Sequence, residues 1–279
     1  MKFAFFGFDF FIDSIEVLLK HGWKMCYHHI PRVDESFYLS QRTRIISEDQ
    51  RSTDLGHDLN IDAYSKIEQS DIDYLIVAGL SQKVLISRLG NLKAINIHPT
   101  YLPQGRGKWP FPYLISKNRE AAGVTFHKIS ETFDSGDILI QKKVHVSDRD
   151  NYESVSAKLK IKSIEIAHDF ANAADGLYEN AFPQGRDYSY WNVPSWRTER
   201  IIDFSSNVND IDCLVRSFGK FGTEARLTTK TLLVKDIATW TSSHTYTPGS
   251  IIIDGQNEIL VAAKDGFVLI RVFEEIQRG

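Results

Sequence analysis

Residues 2–21 read KFAFFGFDFFIDSIEVLLKH. Lys2 to Gly7 is a short apolar run closed by glycine, and Asp13 to His21 then carries Ile15, Leu18 and Leu19 on one side at helical spacing. A strand, a tight turn and a helix follow from that pattern. Trp23 to Ile30, Tyr74 to Ala78 and Ala94 to His98 are further brief apolar runs, each beside a helix-compatible stretch such as Lys83 to Arg88. Alternation of this kind predicts parallel strands joined by right-handed crossovers, a doubly wound, Rossmann-like α/β sheet. Ligands of such sheets gather beyond the carboxyl ends of the strands, which points to the segments after Gly7, Ala78 and His98. The turn Gly7-Phe8-Asp9 holds a single glycine and does not make a dinucleotide-binding fingerprint.

From Ala122 the pattern changes to two longer strands, Val124 to Ile129 and Ile138 to Val144, joined by the turn Glu131 to Asp137. A long helix follows from about Tyr152 to Ala174, with Val155, Leu159, Ile164, Ala167 and Phe170 broadly on one face. The prolines, tyrosines and tryptophans after Leu177 show little periodicity and read as a linker. A helix, Asp210 to Phe218, and short strands Ala225 to Thr228, Leu232 to Ile237, Ser250 to Ile253, Ile259 to Ala263 and Phe267 to Val272 complete the chain. Their Pro-Gly and Asp-Gly punctuation at Pro248, Asp254 and Asp265 suggests a small barrel or sheet, OB-like in character. The expected division is 1–180, a linker at 181–203, and a β-rich domain at 204–279.

The 279 residues carry 33 basic and 36 acidic side chains, a net charge of −3, with 42% hydrophobic residues. That length can bury a real core, and the balanced charge excludes a basic nucleic-acid-binding face across the whole surface. Cys26 and Cys213 stand far apart without CxxC spacing, so neither a disulfide framework nor a cysteine zinc site is expected, and no metal is called for. The apolar N-terminus is broken early by glycine and aspartate, and no run of about 18 apolar residues follows. A cytoplasmic protein that does not enter the membrane is the expectation.

The densest chemistry lies in INIHPTYLPQGRGKWPFPYLI, residues 95–115. Asn96 and His98 are two apart at the end of a strand and share one face of it. An amide donor and an imidazole so placed could stabilise an oxyanion and move a proton, a toolkit for acyl transfer without its own nucleophile. They could equally be a capping Asn and a partly buried structural His. GVTFHKISETFDSGDILI, residues 123–140, places Asp134 and Asp137 in a turn around Ser135-Gly136. A carboxylate there could orient His98 and raise its pKa. Arg106 and Lys108 could hold a phosphate or carboxylate. Tyr101, Trp109 and Phe111 could stack on a sugar or base, or simply pack a short helix. His127 reads as a substrate contact or as a strand residue facing solvent, and Tyr188, Tyr190, Trp191 and Trp196 as linker packing or as a dimer or ligand surface.

NIHPxxLPxxRGxxP followed by GVTxHxxxxxxDxGxI resembles the 10-formyltetrahydrofolate-dependent formyltransferases, which include glycinamide ribonucleotide, methionyl-tRNA and amino-sugar enzymes. The resemblance implies an Asn, His, Asp triad at Asn96, His98 and Asp134. It also implies N10-formyltetrahydrofolate as cosubstrate. AGLSQKVL, residues 78–85, resembles the family's pterin-binding loop. Leu80, Gln82, Lys83 and Val84 would then contact the folate, with Ser130, Thr132 and Asp137 on the opposite side. The segment from IIDFSSNVND onward is similar to the C-terminal domain appended to methionyl-tRNA formyltransferases and some sugar enzymes.

Methionyl-tRNA enzymes resemble one another in a glycine- and arginine-rich loop after the second strand. Here residues 31–51 hold four basic residues (Arg32, Arg42, Arg44, Arg51), four acidic ones (Asp34, Glu35, Glu48, Asp49) and no glycine. Residues 204–279 carry eight basic and nine acidic side chains. Neither region offers an obvious phosphate-binding charge. The expectation is therefore an amino-sugar N-formyltransferase acting on a nucleotide-linked or nonulosonic-type aminodeoxy sugar for surface glycan synthesis. Nucleic acid is not the expected partner, and a homodimer through the linker or C-terminal region is a further expectation. A methionyl-tRNA formyltransferase is the alternative, and a non-catalytic sugar-binding protein of the same fold a third reading.

Overall fold

The computed structural model describes residues 1–31, 52–56 and 59–276. The neutral loop at 32–51 lies outside the described residues. In chain order the elements are β1 (Lys2–Gly7), α1 (Ile12–Lys20), β2 (Lys24–His29), β3 (Thr53–Asp54), α2 (Ile61–Glu68), β4 (Tyr74–Ala78), β5 (Lys93–His98), α3 (Phe111–Ser116), β6 (Gly123–Lys128), β7 (Ile138–Lys143), α4 (Tyr152–Glu179), α5 (Val208–Phe218), β8 (Thr223–Arg226), β9 (Thr231–Thr241), β10 (Ile251–Asp254), β11 (Ile259–Ala262) and β12 (Gly266–Ile276). The chain divides into two compact units. The first holds residues 1–108, 120–145 and 157–191, and the second holds 109–119, 146–156 and 192–279.

The first unit is built on a seven-stranded sheet ordered β3-β2-β1-β4-β5-β6-β7. Strands β2, β1, β4 and β5 pair in parallel, while β6 and β7 turn antiparallel to them. Phe3, Ala4, Phe5 and Phe6 of β1 are all buried. A central parallel strand is covered on both faces, so it reads as an unbroken apolar run with no alternation. The chain leaves β1 toward β2 on one side and returns through β4 on the other, placing a switch point at the ends of β1 and β4. There Gly7 approaches its neighbour so closely that a Cβ would stand 1.9 Å from the Ala78 carbonyl oxygen. No other residue fits that position.

On one side of this sheet the rings of Trp23, Tyr74 and Phe126 meet Phe170 of α4 at centroid distances of 5.6 Å. Leu159, Ile166, Ala167 and Phe170 are the buried apolar face of that helix, with Ile164 only half-buried. The turn at Ile86–Arg88 is a single 3₁₀ turn where a helix-compatible stretch was expected. The second unit is a five-stranded antiparallel sheet ordered β10-β11-β12-β9-β8. Val208, Ile211 and Val215 of α5 pack into its core with Leu232, Val234, Val268 and Ile270. The Asp265 carboxylate accepts from the Val208 N–H at 2.9 Å and so satisfies a donor at the start of α5. Cys26 and Cys213 are free, half-buried thiols. Among the described residues no helix is long and apolar enough to cross a membrane.

Candidate active site

The carboxyl end of β5 carries the site, and antiparallel pairing completes it. Asn96 stands opposite His127 of β6, and His98 opposite Thr125. Cross-strand partners project on the same face, so period two along β5 and register across to β6 bring Asn96, His98 and His127 together. The loop after β6 then turns back and delivers Asp134. Its Oδ1 lies 3.2 Å from Asn96 Nδ2, 3.4 Å from His98 Nδ1 and 3.6 Å from His127 Nε2, and its Oδ2 accepts from the Gly107 N–H at 2.9 Å. His98 and His127 are buried, and the Asp134 side chain is 10% exposed.

Asp134 reaches this place through an uncommon backbone. Its φ is +55°, the left-handed region. Two residues later, Gly136 lies so near β6 that a Cβ would stand 1.9 Å from the Lys128 carbonyl oxygen. The turn is compact for that reason, and a larger residue would push it off the strand end. The Gln184 amide closes it by donating to the Asp134 and Gly136 carbonyls.

Hydrogen-bond partners assign the protons. His98 Nε2 is 2.9 Å from the Gly105 carbonyl, closer than Nδ1 is to Asp134. A neutral ring avoids placing a lone pair against the nearer acceptor, so Nε2 carries the hydrogen and donates to Gly105. Nδ1 is left as a base facing the carboxylate. His127 Nδ1 likewise donates to the Lys128 carbonyl at 2.8 Å, leaving Nε2 to accept from Asn96 at 3.1 Å. Both amide hydrogens of Asn96 are thereby engaged, one by His127 and one by Asp134.

Burial presses the His98 imidazole below its ordinary value, with Asp134 and the Gly105 carbonyl opposing. Burial acts on Asp134 in the direction of a higher value, but attraction to a protonated His98 and the Gly107 N–H act against it, and the carboxyl is held below the usual carboxylate range. The Gly107 and Asn96 donors hold that charge even beside an uncharged His98. At neutral pH the pair is a carboxylate beside a neutral imidazole. Protonation of Nδ1 would create an imidazolium flanked by a carboxylate and a carbonyl, each already in place.

The expected folate contacts sit at the end of β4 and on the 130–137 loop. Gln82 and Lys83 are exposed and Leu80 is half-buried against the core, whereas the Val84 side chain belongs to that core. Val84 can therefore offer only its main chain. Lys83 Nζ meets Glu131 Oε2 at 3.0 Å, so the two segments face each other across ion-pair distance. Ser130 Oγ and Ser135 Oγ are 2.9 Å apart and both donate toward the Thr132 carbonyl, which rigidifies that wall. Asp137 is turned toward Lys128 at 4.0 Å. Exposed main chain on one side and a stiff hydroxyl-rich loop on the other fit a flat heterocycle held by backbone groups. Among the described residues, no group of three or more His, Cys, Asp or Glu could hold a metal ion.

The other residues singled out from the sequence scatter. Arg106 is buried, with its guanidinium 4.4 Å from the Tyr188 ring centre. Lys108 is exposed. Tyr101 lies against Gly123, with the Lys143 ammonium 5.3 Å from its ring centre. Trp109 belongs to the second unit, where its ring meets Phe218 and Phe221 and its indole N–H donates to the Tyr152 hydroxyl. Trp109 is there a packing residue. Two contributors escaped sequence reasoning: the Gly107 N–H and Gln184. Neither has a local signal, since a main-chain donor has no letter and Gln184 lies in the stretch expected to be linker.

Residues 41–168 match the formyl transferase family, and residues 196–278 match the formyl transferase C-terminal domain. The chain belongs to the formyl transferase family. The methionyl-tRNA formyltransferase of Coprothermobacter proteolyticus is 30% identical over 164 residues, 58% of this chain and 53% of that protein. The chain thus matches about half the length of that relative. The methionyl-tRNA formyltransferase of Orientia tsutsugamushi is 26% identical over 96% of this chain and 90% of the relative. An N-formyltransferase from Helicobacter canadensis, crystallised with folinic acid and dTDP-3-aminofucose, superposes with a TM-score of 0.72 at 16% identity, over 98% of this chain and 100% of that one. That likeness is one of fold.

Proposed function

We propose that the chain transfers a formyl group from N10-formyltetrahydrofolate to the amine of an activated aminodeoxy sugar. The observation that carries the reaction is the buried cluster in which a neutral His98, with Nδ1 unprotonated, faces an ionised Asp134. The cosubstrate supplies an activated formyl group on nitrogen. His98 Nδ1 takes the proton that the attacking amine must lose, and Asp134 and the Gly105 carbonyl stabilise the imidazolium that results. The same proton is then available to the departing nitrogen. Asn96 stabilises negative charge developing on the formyl oxygen by exchanging one of its two engaged hydrogens toward it. Leu80, Gln82, Lys83 and the Val84 main chain, with Ser130 and Thr132 opposite, hold the folate. The acceptor is argued from charge. A domain with eight basic and nine acidic residues, and a neutral loop at 31–51, lack the positive field that tRNA requires. The Helicobacter enzyme's crystallisation with a dTDP-amino sugar supports the same choice.

A methionyl-tRNA acceptor is the second reading, favoured by the near full-length match to the Orientia enzyme. Tetrahydrofolate release measured with a panel of nucleotide-linked aminodeoxy sugars, beside methionyl-tRNA at low and high salt, separates the two. Turnover with a sugar and none with tRNA is expected. Salt-sensitive turnover with tRNA alone would reverse the assignment. His98→Ala and Asn96→Ala should each lower turnover by about 100-fold or more while leaving folate binding intact, as loss of a positioned donor does.

A further inference from the structure

Gln184 lies between the two segments that build the site. Its Nε2 donates to the Asp134 carbonyl at 2.9 Å and to the Gly136 carbonyl at 2.7 Å. Its Oε1 accepts from Arg106 Nε at 3.0 Å and from Arg106 Nη2 at 2.7 Å. A primary amide has two hydrogens and two lone pairs, so this side chain is saturated. One half of it holds the turn that presents Asp134. The other half holds Arg106, whose neighbours Gly105 and Gly107 supply the carbonyl on His98 and the N–H on Asp134.

The backbone around Gln184 is itself anchored on both sides. Phe182 exchanges two hydrogen bonds with Ile138, at 2.8 and 3.0 Å. Farther along, the Arg106 N–H donates to the Ser189 carbonyl at 3.0 Å and the Trp191 N–H to the Arg106 carbonyl at 2.8 Å. Gln184 is thus a strut of fixed length between fixed ends. The group it supports needs support. Asp134 adopts a left-handed backbone that residues with a Cβ disfavour, and its carboxylate partners Gly107, Asn96 and His98 come from segments earlier than the strand that leads into the turn. Within the turn the Ser130 and Ser135 hydroxyls hold the Thr132 carbonyl, but those bonds do not reach Asp134 itself.

We propose that Gln184 is a positioning residue for formyl transfer, holding the Asp134 carboxylate against His98 through the backbone of the turn and tying that turn to Arg106. This rests on the reaction proposed above. Two variants divide the amide into its halves. Gln184→Glu keeps the acceptor toward Arg106 but sets oxygen against two carbonyls, and Gln184→Met keeps the length while removing both functions. Both should lower kcat by about 10-fold or more, with KM for the formyl donor nearly unchanged, because small displacements of a catalytic group are costly in rate. A Gln184→Glu enzyme with wild-type kcat would assign the residue to Arg106 alone and overturn the proposal.

A second readout needs no substrate. The His98 ring is titrated by NMR in wild type and both variants, with thermal melting as the check on folding and Gln184→Asn as substitute for a variant that does not fold. Asn is one methylene too short to span both ends, and its expected outcome is the same. The His98 midpoint should fall when the carboxylate moves away from Nδ1. A midpoint equal to wild type in a folded variant would overturn the positioning role. A wild-type protein that formylates no amine would sink the proposed reaction, while the titration would still decide whether Gln184 places Asp134.

Discussion

Asp134→Asn is the substitution that separates charge from shape. The carboxylate stands 3.4 Å from His98 Nδ1, and at an effective dielectric of about 20 a unit charge at that distance stabilises an imidazolium by roughly 5 kcal/mol. If that stabilisation is expressed when Nδ1 takes the proton, its loss amounts to about three to four decades of rate. The amide is also a poor fit to the site. With its oxygen on the Gly107 N–H, its NH₂ takes the place of Oδ1, where it can donate to the unprotonated His98 Nδ1 but meets the Asn96 amide as donor against donor. The assay is tetrahydrofolate release across pH, with folate affinity and thermal midpoint measured alongside. Turnover should fall by about 10³-fold with folate binding retained. The acidic limb of the pH profile should also move lower, because the carboxylate that opposes burial of His98 is gone. A variant within tenfold of wild type, or one whose acidic limb stays in place, would refute the role given to the charge.

Three further outcomes follow from the same structure. Gly136→Ala forces a Cβ to 1.9 Å from a main-chain oxygen and 2.8 Å from its carbon, where only backbone can yield, so thermal melting should show a loss of about 1–3 kcal/mol or more, and turnover should fall with it. Arg200→Met in the second unit removes a fully buried guanidinium, pushed down to about 10 by burial, that donates to the Phe221 and Gly222 carbonyls; urea unfolding should register a loss of about 1–3 kcal/mol, and an unchanged midpoint would mean those carbonyls find other donors. Acid should destabilise the first unit in a defined window. His98 is harder to protonate folded than unfolded, so the unfolded chain binds more protons as pH falls below 6.5, and stability is lost until the lowered folded value is passed. Asp134 adds a loss of the same sign below 3.8, where its carboxylate begins to be protonated in the unfolded chain first. Denaturant midpoints measured from pH 7 downward should lose the upper part of that slope in His98→Gln.

The apolar runs of β1, β4 and β5 were legible from the letters because strands covered on both faces need side chains that avoid water at every position. The shared face of Asn96 and His98 followed from period two along one strand, and the lone Gly7 from the tight end of β1. These are local consequences of backbone geometry and solvent. Three decisions belong to the tertiary structure alone. The register of β6 against β5 sets His127 beside Asn96, whereas a one-residue slip would have turned it to the opposite face. The left-handed turn at Asp134 is held by the amide of Gln184, 50 residues later in the chain and inside what reads as a linker. Trp109, adjacent in sequence to Lys108, packs with Phe218 and Phe221 of the second unit. Local periodicity reports which side of an element avoids water. The partner that meets it is set by strand register and hydrogen-bond saturation between segments far apart in sequence, which no window of neighbouring residues contains.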